Sequence, residues 1–215
     1  MQIVLFHPDE NIARQLEQAV SKLGFVTVLR ASYEELHESG LMLEGSVVAA
    51  GNGFGIMDGG LDGVMQKVHA GNLQFLVQQK IGKLYGVELP VGCAVSVFSP
   101  DGQHIIYAPT MQIPMQIRGT DNVYRAARAA ANRARIDGEE MLFMPLMGTG
   151  TGGMDLMEAV EQMLSGVMDG FSKMEPDELT WAHADRMHMK WHRFCGIADD
   201  GFRCAQAVRG EKKDE

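Results

Sequence analysis

A glycine-rich loop that follows a buried strand is the feature that most constrains how this chain can fold. Residues 46–50 are a run of small and β-branched residues that predicts a buried strand, and six glycines follow within residues 51–63. The apolar residues of 64–79 recur at helical spacing, which predicts a helix after the loop. Backbone N–H groups and the dipole at such a helix N-terminus favour phosphate. The alternative is a plain flexible turn.

Two observations favour a ligand-binding loop over a flexible turn. Asn52, Asp58 and Asp62 alternate with the glycines where the strand ends. A second loop of the same character, residues 148–153, follows another apolar run at 141–147. Because the carboxyl ends of neighbouring strands meet at one edge of an α/β sheet, the two loops predict a ligand crevice at that edge.

Strand and helix patterns alternate over residues 1–174, which we predict to be one domain. The predicted strands are 2–6, 25–29, 46–50, 92–99, 104–108 and 141–147, with a further short strand within 81–90. The turn signature at 100–102 predicts that 92–99 and 104–108 form a hairpin or adjacent strands. The predicted helices are 10–23, 31–39, 64–79, 122–136 and 155–170. The expected helix boundaries are Asp9 and Ser32 as N-caps, a capping box from Ser32 to Glu35, and Gly24 as the end of the first helix. This alternation predicts a three-layer α/β/α fold in which a mixed sheet carries helices on both faces.

Residues 175–215 differ from the rest in composition. They contain three histidines and two cysteines that are potential metal ligands: His183, His188, His192, Cys195 and Cys204. The spacing lacks a Cys-x-x-Cys pair or a His-Glu-x-x-His pattern, so neither a metal nor a cofactor is expected. An amphipathic helix over 176–194 is predicted instead, docked on the domain or on a second subunit of a homo-oligomer. The end, 210–215, is expected to fray.

Charge and cysteine content narrow the classes of partner. The net charge is −9 and no cluster of Lys and Arg forms a basic face, which argues against sequence-independent nucleic-acid binding, so a nucleic acid is expected only as a modified substrate. No apolar run approaches the ~18 residues that span a bilayer, and the N-terminus does not resemble a signal peptide. Three cysteines fit a reducing compartment, so a cytoplasmic location is predicted.

Four segments, taken in order, resemble the macro domain family, and the resemblance covers roughly residues 1–174. Asn52 after its Ala-rich strand resembles the family's Asn-Ala-Ala-Asn segment, and Gly59–Gly63 resembles its Gly-Gly-Val-Asp-Gly loop. Residues 105–109 stand where the family has a strand that ends in a Gly-Pro-like turn, and Phe143–Gly150 resembles its Phe-Pro phosphate loop. The resemblance implies a crevice that binds ADP-ribose or a closely related nucleotide-diphosphate derivative.

The resemblance also implies roles for individual residues. Gly59, Gly60 and Gly63 would approach the diphosphate, and Asn52 would bond the distal ribose. The second loop would wrap the phosphates with Gly148, Thr149, Gly150, Thr151 and Gly152. The predicted binding set is completed by Gly53, Phe54, Asp58, Pro109, Thr110 and, beside the adenine, Phe171. Where the family has an adenine-binding Asp, this chain has Ser32, with Glu34 as an alternative, so adenine recognition is less secure than phosphate binding.

Two functions follow from these roles. As an enzyme that removes ADP-ribose from a protein or nucleic acid, the chain would use Asn52 and Asp62 as catalytic residues, with Asp62 positioning or deprotonating a water. As a non-catalytic module, it would read or sequester ADP-ribose-type signals. A third possibility is an interaction protein with a vestigial crevice. The glycines retained in both loops argue against it. His7, His69 and His104 become acid–base candidates only if the fold brings them to the crevice.

Overall fold

The computed structural model describes residues 1–174, 177 and 180–195. The strands are β1 (Gln2–Phe6), β2 (Val26–Leu29), β3 (Ser46–Ala49), β4 (Val95–Phe98), β5 (His104–Tyr107) and β6 (Met141–Pro145). The helices are α1 (Glu10–Val20), α2 (Tyr33–Ser39), α3 (Gly60–Val68), α4 (Leu73–Tyr85), α5 (Asn122–Asp137), α6 (Leu156–Phe171) and α7 (Trp181–Cys195), with a 3₁₀ turn at Leu41–Glu44.

The six strands form one mixed sheet in the order β2-β1-β6-β3-β5-β4. Every neighbouring pair is parallel except β4 and β5, which form an antiparallel pair. The turn signature at 100–102 joins these two strands, as the sequence predicts. The parallel strands β1, β6, β3 and β5 therefore all end at one edge of the sheet, called here the carboxyl edge; the opposite one is the amino edge.

Side-chain alternation along the strands divides the core into two layers of packing. Ile3 and Leu5 of β1 point to one face, where they join a cluster with α1, α5 and α6. Val4 and Phe6 point to the other face, where they join a cluster with α2, α3 and α4. Strands buried on both faces need a helix layer on each, which gives the predicted three-layer α/β fold.

The helix caps follow from short polar side chains placed before each helix. The Asp9 carboxylate accepts the amides of Asn11 and Ile12 at the start of α1. Ser32 accepts the Glu35 amide while the Glu35 carboxylate accepts the Ser32 amide, so the predicted capping box is present. The Asp155 carboxylate caps α6 in the same way. Each cap satisfies orphan N–H groups of the first turn and is worth about 1 kcal/mol.

Several predicted elements differ from the structure, among them α3, which begins at Gly60 rather than at residue 64. The helix expected over 64–79 is two helices, because Ala70 (φ 57°) and Gly71 (φ 76°) adopt left-handed conformations that end α3. The strand expected within 81–90 is absent because α4 continues to Tyr85. Helix α1 ends at Val20 rather than near residue 23, and Gly24 has no left-handed φ to end it.

The chain forms two compact units, one of Met1–Arg118 with Asn122–Ser172 and one that includes Gly119–Asp121 and α7. Helix α7 overlaps the span 176–194 predicted to be helical and ends one residue beyond it, at Cys195, while residues 176, 178 and 179 of that span fall outside the described residues. The same holds for Cys204 and for the end at 210–215. None of the described helices has the length and apolar character needed to cross a bilayer.

Candidate functional site

A cleft of about 250 Å³ lies at the carboxyl edge of the sheet, where β3, β5 and β6 end. Both glycine loops border it, as the sequence predicts. Its lining residues are Ala50, Gly51, Asn52, Ile56, Asp58, Gly59, Gly60, Leu61, Asp62, Thr110, Met111, Pro114, Pro145, Leu146, Met147, Gly148, Gly150, Thr151 and Gly152. Backbone therefore forms much of the cleft surface, because seven of these residues are Gly or Ala.

Asn52 holds the first glycine loop in shape. Its side chain is buried, and its Oδ1 accepts the amides of Phe54 (3.1 Å) and Ile56 (3.3 Å). Its Nδ2 donates to the Ile56 carbonyl at 2.7 Å. An amide side chain that bonds its own loop at three points fixes the backbone from residue 52 to residue 56. The structure thus gives Asn52 a loop-organising contact set in addition to its place in the cleft lining.

The Tyr107 hydroxyl ties the same loop to β5. It accepts the Asn52 amide at 2.9 Å and donates to the Asn52 carbonyl at 2.8 Å. Gly51 lies directly against this hydroxyl and against the Asp62 carboxylate, so a Cβ at residue 51 would overlap both. Glycine is therefore required at residue 51 for close packing of these two polar groups, and not for backbone flexibility.

Helix α3 begins at the cleft without a side-chain cap. Its N-cap is Gly59, which supplies no side-chain acceptor. Within the described part of the chain, no group accepts a hydrogen bond from the amides of Gly60, Leu61 or Asp62. These are the first-turn N–H groups that a helix leaves unsatisfied, and the positive end of the helix dipole coincides with them.

Residues 116–118 hold the second glycine loop in place by donating hydrogen bonds to carbonyl groups of the loop. Gln116 Nε2 donates to the Thr151 carbonyl (3.0 Å), and the Ile117 amide donates to the Gly152 carbonyl (2.9 Å). The Arg118 guanidinium donates to the next carbonyl, that of residue 153. Three consecutive carbonyls are thus bound from the 116–118 side.

The amides of the second loop are left free by this arrangement. The five consecutive N–H groups of residues 148–152 donate to no acceptor among the residues that the structure describes. Gly148 has φ 80° and faces Val123, and a Cβ on Gly152 would meet the Gly148 carbonyl at 2.5 Å. Successive unpaired amides in a glycine-containing loop are the arrangement that forms anion-binding concavities in proteins.

Asp62 is the acidic group of the cleft with a perturbed ionisation. Burial, and secondly the nearby Asp58 carboxylate, raise its pKa to about 7. Burial and then the Asp62 charge also raise the pKa of the adjacent Tyr107 hydroxyl above its ordinary value. No described residue donates a hydrogen bond to the Asp62 carboxylate. Near neutral pH this carboxyl group can therefore hold or release a proton within the cleft.

The structure brings together most of the predicted site residues. Those that line the cleft are Asn52, Asp58, Gly59, Gly60, Asp62, Thr110, Gly148, Gly150, Thr151 and Gly152. Three others neighbour lining residues in the chain without lining the cleft themselves: Gly63, Pro109 and Thr149. Gly53 is anchored between the Leu89 amide and the Gln112 carbonyl, and Phe54 borders a separate depression with Ile81 and Val87.

Ser32 and Phe171 are not brought to the cleft lining. The Ser32 hydroxyl and amide are both engaged in the capping box of α2. Phe171, the last residue of α6, packs against the core cluster of α1, α5 and α6. It lies two helical turns beyond Met163, whose sulfur accepts the Met147 amide beside the cleft, which places it about 12 Å further along the helix axis.

Some groups that hold the two glycine loops in place are not predicted from the sequence. Tyr107 and the 116–118 segment contact the two glycine loops, but neither carries a glycine or charge pattern. The prolines at 109 and 114 are the available signal, because they stop β5 and leave an irregular segment at the sheet edge. The histidines considered for acid–base work do not line the cleft; His69 bonds Asp101 and His104 bonds Glu139.

The chain matches the sequence model of a known protein family. The macro domain model matches residues 48–163, which include both glycine loops and more than half of the chain. An uncharacterized protein of Aeropyrum pernix is 30% identical over 129 residues, 58% of this chain and 65% of its own length. One of Aquifex aeolicus is 28% identical over 132 residues, 60% of this chain and 74% of its own length. The match thus spans just under two thirds of the Aeropyrum protein.

Solved structures support the same fold. An asparagine-to-alanine mutant of the Oceanobacillus iheyensis macrodomain matches with a TM-score of 0.51 at 20% identity, covering 61% of this chain and 70% of its own. A glycine-to-valine mutant of that macrodomain, solved with ADPR, also has a TM-score of 0.51, at 18% identity, covering 68% and 87%. The same macrodomain with ADP has a TM-score of 0.50 at 21% identity, covering 59% and 68%.

Proposed function

Because the chain belongs to the macro domain family, we propose that its cleft binds ADP-ribose or a closely related nucleotide-diphosphate derivative. The observation that carries the proposal is the run of five amides at 148–152 that have no acceptor among the described residues. A run of N–H groups that bond no described residue offers several donors at once to a ligand that accepts several hydrogen bonds, as phosphate oxygens do. The Oceanobacillus iheyensis neighbours solved with ADP and ADPR carry ligands of this chemistry.

A diphosphate suits the cleft better than a single phosphate. Two sets of free amides border it, those of residues 148–152 and those at the start of α3. Two linked phosphates can accept from both sets at once, and the dipole of α3 adds a favourable field.

The cleft also favours a ligand that carries hydroxyl donors. Asp58 and Asp62 line it, and a carboxylate accepts hydrogen bonds but repels a purely anionic molecule. A ribose next to the diphosphate offers hydroxyl groups to these acceptors. Recognition of the adenine by Ser32, Glu34 or Phe171 stays a prediction, since Ser32 would have to leave its capping box to take part.

Hydrolysis of ADP-ribose adducts is the second candidate function. The Asp62 carboxyl has a pKa raised to about 7 and accepts no hydrogen bond from any described residue. A partly buried carboxylate of this kind can take the proton of a water that attacks the ribose carbon bonded to the modified group; the bond between that carbon and the group breaks, and the group leaves with a proton from solvent. Cytoplasmic location and a homo-oligomer formed through the C-terminal extension likewise stay predictions.

Titration calorimetry with ADP-ribose, AMP and NAD tests the binding proposal. ADP-ribose is expected to bind in the micromolar range, and AMP more weakly because it carries one phosphate. Gly150→Glu places a carboxylate among the free amides, in a position where a Cβ meets nothing within 4 Å and the backbone needs no left-handed φ. Charge repulsion should weaken ADP-ribose binding about a hundredfold or more.

Gly24→Glu is the matched control. It adds the same charge at an exposed glycine that also has no atom within 4 Å of a Cβ and no left-handed φ, before β2 and away from the cleft. Its affinity for ADP-ribose should equal that of the unmodified chain. Equal affinity in Gly150→Glu, or equal loss in both variants, would contradict the assignment of the cleft.

A further inference from the structure

A second cluster of chemically versatile side chains lies at the amino edge of the sheet. His37 comes from α2, His69 follows α3, and Asp101 is in the turn between β4 and β5. The β5 strand, four residues long, separates this turn from Thr110 in the cleft, a distance of about 13 Å along the strand. The cluster is therefore separate from the proposed ADP-ribose site.

The three side chains place potential metal-ligand atoms close together. His37 Nε2 donates to Asp101 Oδ2 at 2.6 Å, and His69 Nδ1 donates to Asp101 Oδ1 at 2.7 Å. One nitrogen from each histidine and one carboxylate oxygen all lie within 4.8 Å of one another. Around a tetrahedral ion with bond lengths of about 2 Å, the ligand atoms lie somewhat more than 3 Å from one another. Small side-chain rotations would bring the three atoms of this cluster to that separation.

The fold holds one ligand rigidly and leaves the others accessible. The His69 side chain is fully buried, and its second nitrogen, Nε2, bonds the Tyr33 hydroxyl at 2.6 Å. The side chains of His37 and Asp101 are 31% and 39% exposed. An ion bound here would have a solvent-facing position for a water ligand.

The Tyr33 hydroxyl provides a hydrogen-bond partner for the second ring nitrogen of His69, as is usual for a metal-bound histidine. A hydroxyl both donates and accepts, so Tyr33 can donate to neutral Nε2 when the Nδ1 proton bonds Asp101. It can equally accept a hydrogen bond from the Nε2–H group when Nδ1 ligates a metal. A partner on the second ring nitrogen fixes the tautomer and orientation of a metal-bound histidine and strengthens its bond to the metal.

We propose that His37, His69 and Asp101 form a site for a divalent transition-metal ion, of which Zn²⁺ is the expected occupant. Two imidazoles and one carboxylate, with a water in the fourth position, form a ligand set that Zn²⁺ commonly accepts. The ion would replace the two protons that now join the histidines to Asp101. It would link α2, the end of α3 and the β4–β5 turn, and its role would be to stabilise this edge of the domain.

Zn²⁺ titration of the full chain, first freed of metal with EDTA, tests the proposal. One Zn²⁺ should bind at the cluster and raise the melting temperature. His37→Ala and Asp101→Asn change partly exposed ligands and should weaken this binding tenfold or more and remove the melting shift. Co²⁺ bound to the unmodified chain should give the intense visible bands of a four-coordinate ion, and neither variant should give them.

His183→Ala is the control, because it removes a histidine of α7, outside the cluster. It should leave both the Zn²⁺ affinity and the Co²⁺ spectrum unchanged. The proposal is overturned if Zn²⁺ does not bind, if binding survives both cluster variants, or if only His183→Ala weakens it. Melting of each variant in EDTA establishes that it is folded, and it makes a loss of Zn²⁺ binding attributable to the missing ligand.

Discussion

The two edges of the sheet are both polar, but their polar groups come from different parts of the residue. At the carboxyl edge the groups are mainly backbone amides, those of 148–152 and the first turn of α3, and no described residue accepts from them. At the amino edge the groups are side chains such as His37 and His69, both of which bond Asp101. The unpaired donors of the carboxyl edge can bond the proposed ligand directly, whereas the side chains of the amino edge must exchange the bonds they already make for bonds to the proposed metal ion.

Glycine explains why the carboxyl edge can expose its backbone. At Gly51, Gly148 and Gly152 a Cβ would overlap neighbouring atoms, so side chains are excluded and the chain packs closely around the cleft. At Gly59 and Gly150 a Cβ would meet nothing within 4 Å. The first group of glycines therefore shapes the walls, while the second leaves space that a ligand can occupy.

The largest effect expected at the carboxyl edge is on turnover. If the chain hydrolyses ADP-ribose adducts, Asp62→Asn should lower the rate about 10²–10⁴-fold, the usual contribution of a general base, while ADP-ribose binding is retained. Because the base must be ionised, turnover by the unmodified chain should rise with pH and level off above about 7. Release of ADP-ribose from a modified protein, followed from about pH 5 to about pH 9, measures both.

Asp58→Asn is the matched control for this experiment. The Asp58 charge contributes to the raised pKa of Asp62, so its removal should move the midpoint of the pH profile downward. Because Asp58 also lines the cleft, substrate binding should weaken, while turnover at saturating substrate is retained. Turnover by Asp62→Asn equal to that of the unmodified chain would exclude Asp62 as the base. Absence of turnover in the unmodified chain, together with tight ADP-ribose binding, would favour the non-catalytic module.

The same difference between backbone and side chains explains how much the sequence predicts. Glycine loops after apolar runs are local signals, so the cleft, its two loops and Asp62 are visible in residues 51–63 and 148–153. The capping box at Ser32 and the β4–β5 pairing are local too, and the structure confirms both. The α3–α4 break had a local signal in Gly71 and Asn72, but the helical spacing of apolar residues outweighed it.

Contacts between distant segments are what the sequence does not predict. Tyr107 reaches Asn52 across 55 positions, and His37 reaches Asp101 across 64. Such pairs are set by sheet order and helix packing, and no spacing rule connects them. In the sequence, the histidines and cysteines that draw attention as potential metal ligands lie in the tail. Among the described residues, the cluster that could hold an ion is His37, His69 and Asp101, in the domain.

A smaller effect is expected on stability, through the ionisation of Asp62. Its pKa is about 7 in the folded chain and about 4 in an unfolded one. Between these values the unfolded state is ionised while the folded state is protonated. Stability from this group is therefore complete below about pH 4 and is lost as the pH rises to about 7.

Asp62→Asn removes this dependence. Relative to the unmodified chain, the variant should gain stability on the order of 2 kcal/mol between about pH 5 and about pH 8. Urea unfolding of both proteins across that range measures the difference at each pH. A difference in unfolding free energy that does not change with pH would show that Asp62 ionises normally, and would also weaken its assignment as a base active near neutrality.

The smallest effect is expected from a matched pair of tyrosine variants, one at each edge. Tyr33→Phe removes a single buried hydrogen bond to His69, keeps the ring beside Phe6, and should cost about 1 kcal/mol of stability without changing ADP-ribose affinity. Tyr107→Phe removes both bonds to Asn52 and should weaken ADP-ribose binding as well. Calorimetry and urea unfolding in EDTA measure both variants. An affinity loss in Tyr33→Phe would show that the two edges are coupled, since its hydroxyl bonds His69 at the amino edge and does not line the cleft.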